Sequence, residues 1–219
     1  MIVRAALAGW MLVMWLAGGA WGASVTFRQE VAGAVTTETP VVHRGSMPGA
    51  DAAMNDALAA AVREEVRALA DVAEPRELIV RSAAELQGGA LWSFSLEGMV
   101  DFEGAAHPSS SRRGITFDAA SGKVLSLADL FLPGTDWARV VNGPLFAAID
   151  RQVASEELMV FEEAHPDVVT YADQFFLRPG KLVVFWTDTQ FAPHASGQPE
   201  FELPCEAFAA FLRPEYASW

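Results

Sequence analysis

Four histidines carry the clearest capacity for chemistry in this chain: His43, His107, His165 and His194. An imidazole can ligate a metal or move a proton near neutral pH. His107 closes the run Gly104-Ala105-Ala106-His107, and His194 sits in Ala192-Pro193-His194-Ala195-Ser196-Gly197. If those two loops converge, Asp101 or Asp188 could complete a three-ligand metal site. The spacing matches no metal motif, however, and the favoured reading is that His107 hydrogen-bonds its loop while His194 orders the turn at Pro193. Arg112 and Arg113, in the polar stretch Ser109–Arg113, could grip an anion or simply line an exposed loop. No GxSxG nucleophile elbow and no HExxH helix is present. Glu156, Glu157, Glu162 and Glu163 supply carboxylates, but acid–base work requires burial that separates their pKa values, and 156–167 reads as a solvated connection. The single cysteine, Cys205, makes no internal disulfide and no structural zinc site, and reads as a small buried residue. No catalytic set, metal or cofactor follows from these residues. The candidate binding-loop residues are His107, Arg112, Arg113, Asp188, Pro193, His194 and Gly197.

The elements that must position these loops can be read from periodicity. Phe175-Phe176-Leu177 and Leu182-Val183-Val184-Phe185-Trp186 flank a Pro179-Gly180 turn and predict a buried central hairpin. Alternating residues predict strands over 25–31, 35–42, 77–86, 91–102 and 115–118, with a short hairpin return at Lys123–Leu125. Pro40 places the second strand at an edge or bulge. In Leu91–Phe102, Trp92, Phe94 and Leu96 face one way while Ser93, Ser95 and Glu97 face the other. Met54, Leu58, Ala61, Val62, Val66, Leu69 and Val72 recur on one face of a helix predicted over 51–72, with Asp51 as its N-cap. Ser126 and Asp129 predict a capped short turn ending at Phe131. Thr135 is expected to cap a helix from Asp136, and Asn142-Gly143-Pro144 to break or kink it, with Pro144 able to open a second helix to about Glu157.

Composition narrows the function classes. The 219 residues are 52% apolar, enough for one domain or two small ones. A net charge of −13 argues against nucleic acid, whose phosphates would be repelled, and suits a cationic partner. Arg4, the apolar run Ala5–Ala20 and the small residues around Ala20-Trp21-Gly22 predict a cleaved secretory signal over residues 1–22. The run is shorter than a membrane-spanning helix requires, so no stable span is expected after removal. The mature chain, at 14 − 28 = −14, is expected to be exported, periplasmic or secreted.

Three motifs in one order then carry a family resemblance. They are Gly104–His107, the stretch Phe117-Asp118-Ala119-Ala120-Ser121-Gly122-Lys123-Val124-Leu125-Ser126-Leu127-Ala128-Asp129-Leu130-Phe131, and Asp173-Gln174-Phe175 continuing to Ala192–Gly197. Together they resemble the RsiV-like domain of unknown function, over about residues 90–212. Residues 36–89 resemble its usual N-terminal companion of the PdaC type. Ala105 stands where that family usually has Gly, and His194 where it usually has Tyr. The resemblance implies an extracytoplasmic α+β domain. In anti-sigma factors it senses lysozyme; in deacetylases it accompanies a separate catalytic domain acting on peptidoglycan. It implies no catalytic residue here.

The expected architecture is therefore α+β, with antiparallel sheets and packed helices. A helix-on-sheet unit over 23–89 would precede a larger mixed domain over 90–219. The expected function is a non-enzymatic binding module for a cationic protein, such as lysozyme, or a cell-wall glycan. The alternative is a cell-envelope hydrolase, metal-assisted through His107 and His194.

Overall fold

The computed structural model describes residues 23–71, 74–160, 174–187 and 192–219. Residues 1–22, expected as a secretory signal, and Val72, Glu162, Glu163, His165, Asp173, Asp188 and Phe191 lie outside the described residues.

The alternating segments assemble a six-stranded sheet in the spatial order β1 (Ser24–Ala32), β2 (Val35–His43), β3 (Pro75–Leu86), β4 (Leu91–Phe102), β5 (Ser109–Asp118) and β6 (Val124–Leu125). Neighbours are antiparallel except β2 and β3, which run parallel over Val35–Thr37 and are linked through helix α1 (Pro48–Ala70). A parallel pair needs a crossover of that length, so the helix is the topological consequence of the pairing. Because β2 leaves β3 after Thr37, Pro40 sits where no donor toward β3 is required, as expected of a strand proline. A second, antiparallel sheet consists of β7 (Phe175–Arg178), β8 (Lys181–Phe185) and β9 (Glu200–Pro204), with β8 in the middle.

The period-two pattern of β4 places one side chain set in each of two layers. Trp92, Phe94 and Leu96 pack with Met54, Leu58 and Val62 of α1 in one core. Ser93 and Ser95 point the other way and are nonetheless buried, because β7 lies across that face. The Ser93 hydroxyl is 2.8 Å from that of Thr116 and accepts the Leu177 N–H at 2.9 Å. A second core joins Phe175, Leu177, Val184 and Phe201 to Val141 and Leu145 of helix α2 (Trp137–Ala154). Phe176, Val183 and Phe185 form a third, small cluster on the opposite face of the hairpin. Every residue of the expected central hairpin from Phe175 to Leu177 and from Leu182 to Trp186 is buried.

Several local expectations are corrected. Residues 109–113 are not a loop but the first half of β5, paired with Val100 to Leu96. Asp51 does not cap α1; the helix begins earlier, at Pro48 after Met47, because proline is pre-organised for a first turn. Asp51 instead takes the Arg44 Nε–H at 2.5 Å and the Arg44 backbone N–H at 2.8 Å. Asp136, not Thr135, caps α2, accepting the Arg139 N–H at 3.2 Å. The helix runs through Pro144 without ending. Burial of Val141, Leu145, Ala148 and Ile149 on one face outweighs the roughly 3 kcal/mol that an interior proline costs. Leu158 is buried, so the connection after α2 is anchored before it leaves the described residues. The boundary expected at residues 89/90 falls in the turn between β3 and β4, two paired strands of one sheet, so the six-stranded sheet runs through it.

Candidate functional site

His107 lies in the β4–β5 connection and His194 opens a 3-10 turn, His194–Ser196, behind Pro193. Gly197 ends that turn at φ +67°, a left-handed conformation that glycine adopts without strain. The fold brings the two loops together: the imidazoles stack face to face, ring centroids 3.9 Å apart and planes 19° from parallel. Both are exposed. His107 Nδ1 is 3.2 Å from the carbonyl oxygen of its neighbour Pro108.

Stacked rings are a poor start for a chelate. A ring nitrogen binds metal through the lone pair in its own plane, and near-parallel planes aim those lone pairs side by side rather than at one point. Asp101 is 3.7 Å from Arg76, and no group of three or more His, Cys, Asp and Glu among the described residues is placed to hold a metal ion. The other ligand considered, Asp188, lies outside the described residues.

The two arginines have other duties. Arg112 is only 9% exposed and bridges Glu97 on β4, at 3.1 Å, to Glu200 on β9, at 2.9 Å. Its guanidinium lies over the rings of Phe176 and Phe185, 5.1 and 5.4 Å from their centroids. It thus clamps the second sheet onto the first. Arg113 faces α1, where it meets Glu64 at 2.9 Å and Glu65 at 3.7 Å. Arg178 extends the inter-sheet network to Glu85 at 3.0 Å, Glu200 at 2.7 Å and Glu202 at 2.9 Å. Burial alone would lower the Arg178 pKa, but its bonds to these three carboxylates raise it. Hydrogen bonds from Lys181 and Arg178 hold the Glu202 carboxyl below its usual range.

Beside the histidine loops lies a groove of about 280 Å³. Ile79, Arg81, Glu97, Met99 and Ser110 line it from three neighbouring strands, and Gln198, four residues after His194, closes one side. These residues share one face of the sheet, beyond the part that β7 covers. Arg81 also acts on Glu38: burial raises that carboxyl's pKa, and the guanidinium offsets part of the rise. Sequence reasoning missed the groove because its lining alternates with core residues over three separate strands. The odd-numbered positions of β3 and β4 were the available signal. A wider, more apolar groove of about 500 Å³ lies on the α1 side, between Ala57, Ala60 and Ala61 and the β5–β6 edge.

The fold defines an α+β protein of two packed sheets, with two exposed histidine loops that meet beside a groove on the larger sheet. Residues 128–206, which span α2 and the second sheet, match the family model described as a protein of unknown function (DUF3298). The chain is similar to a crystallised DUF3298 family member from Bacteroides fragilis NCTC 9343, with a TM-score of 0.65 and 15% identity over 90% of this chain and 95% of that one. It is also similar to a DUF3298 family protein from Pseudomonas aeruginosa PAO1, with a TM-score of 0.53 and 20% identity over 96% and 98% of the two chains. At these identities the likeness is one of fold. No functionally curated protein matches the chain.

Proposed function

We propose that this chain is an exported, non-enzymatic binding module whose paired histidine loops and adjoining groove receive one partner, a cationic protein such as lysozyme or a cell-wall glycan. The observation that carries the reading is the stack of His107 on His194, which joins two distant segments into a single exposed surface. Pro193 and Gly197 fix the second loop from either side. Rigid, partly apolar rings beside a groove offering Arg81, Glu97, Ser110 and Gln198 supply both contact area and directed hydrogen bonds. The net charge of −13 favours encounter with a cationic protein. The resemblance to the RsiV-like domain points to the same partner class, and the basic, apolar N-terminal segment supports work outside the cytoplasm.

Calorimetric titration of the full-length gene product with lysozyme, and separately with soluble peptidoglycan fragments, tests the reading. Saturable binding to one of them, weakened about ten-fold or more by His107→Ala with His194→Ala, is expected if the stack is central to the contact. Binding to neither removes the proposed partner class. Binding that the double variant leaves intact moves the site elsewhere.

A further inference from the structure

Helix α2 presents a second surface that the histidine loops do not explain. Its buried face comprises Val141, Leu145, Ala148 and Ile149. On the outward face, Arg139, Gly143, Phe146, Asp150 and Val153 recur at alternating steps of four and three, forming one straight stripe along the helix. Phe146 is 39% exposed and Val153 40%. Apart from its two chain neighbours and the helix's own backbone, nothing lies within 4 Å of where a Cβ on Gly143 would stand, so that position is open on its outer side. At the N-terminal end of the helix, Asp136, Arg139, Val140 and Pro144 border a groove of about 660 Å³ that Leu132 and Phe211, 40% and 43% exposed, flank with apolar surface.

We infer that this stripe is a self-complementary interface through which two copies of the chain pair by antiparallel packing of α2. One register aligns the stripe with itself. With the two-fold axis between Pro144 and Leu145, Phe146 of each copy faces the open Gly143 position of the other. Arg139 then faces Asp150, and Val153 faces Asp136 at the mouth of the apolar groove. A two-fold contact must match a surface with itself, and here Phe146 meets an open position and Arg139 an opposite charge in the same alignment. Within one helix Arg139 and Asp150 stand about 16 Å apart and cannot reach each other. Among the described residues neither enters an ion pair. A single helix pair with one groove at each end is smaller than the roughly 800 Å² per partner of a stable complex, so a reversible dimer of micromolar affinity is expected.

Sedimentation equilibrium of the full-length gene product, from low to high micromolar concentration, reads the association directly. A monomer–dimer equilibrium is expected. Arg139→Asp and Asp150→Arg should each weaken it about ten-fold or more by setting like charges face to face, and the double reversal should recover most of the loss. Circular dichroism melts of the three variants establish that each is folded. A chain monomeric throughout the range overturns the proposal, whether the stripe is then bare or serves a different protein. Weakened single variants that the double reversal does not rescue overturn the register.

Discussion

The carbonyl oxygen of Phe175 occupies the place where a side chain on residue 114 would begin: a Cβ on Gly114 would stand 1.7 Å from it. The hairpin β7–β8 can lie against β5 because residue 114 offers no side chain. Both sides of this contact are backbone, so neither can yield by a rotamer change.

Gly114→Ala is therefore expected to force the two sheets apart. Overpacking a core usually costs about 1–3 kcal/mol, and a clash with backbone should reach or exceed the top of that range. Denaturant unfolding of the variant checks it; a loss below about 1 kcal/mol would mean that the sheets are not in contact there.

Ser93 is the hydrogen-bonding pivot between the layers, accepting from the Leu177 N–H and meeting the Thr116 hydroxyl. Ser93→Ala orphans a buried amide and should cost about 1–3 kcal/mol. Thr116→Val, which leaves the bond to Leu177 in place, should cost less. Hydrogen exchange at the Leu177 amide should accelerate in the first variant and not in the second.

Arg112→Lys should behave as a disruptive change despite conserving charge. Lysine cannot bridge Glu97 and Glu200 with a planar fork or lie flat over Phe176 and Phe185. Breaking a buried ion pair costs about 3–5 kcal/mol, but Glu97 and Glu200 keep 55% and 32% exposure, so about 1–2 kcal/mol is expected. Thermal unfolding at low and high salt tests this: a loss due to packing and bridging geometry should persist when surface charges are screened.

Tyr216 donates to Asp118 at 2.9 Å, tying the C-terminal turn to the end of β5. Burial first, and then this bond, push the Tyr216 hydroxyl up to about 12. The stabilisation this adds is complete below about pH 10, the unfolded phenol's pKa, and disappears as pH rises toward 12. Asp118 moves the opposite way: burial would raise it, but bonds from Ser121 and Tyr216 hold it below the usual range. Its contribution is present above about pH 3.9 and is lost on further acidification. Tyr216→Phe should cost about 1 kcal/mol at neutral pH, flatten the loss of stability above pH 10 and move the acid limb upward. Stability profiles of wild type and variant that run parallel from pH 3 to 11 would contradict this account.

The chain's local chemistry settled its elements and left their assembly open. Period-two alternation in Leu91–Phe102 and the apolar runs around Pro179-Gly180 were sufficient for the strands, because a residue's face in a strand depends only on its position along it. The stripe from Met54 to Leu69 did the same for α1. Local signals misplaced helix ends and missed the first half of β5. Pro48 was a local start signal left unread, whereas Pro144 and Ser109–Arg113 take their conformation from neighbours distant in sequence. Ser93 and Ser95 read as the polar side of a strand, and only the arrival of β7 above Gly114 makes that side buried. His107 and His194 were legible as turn residues, but their stacking rests on how the two sheets pack. No sequence spacing encodes the contact between loops that belong to different sheets, which is why the meeting of the two rings was decided by tertiary structure alone.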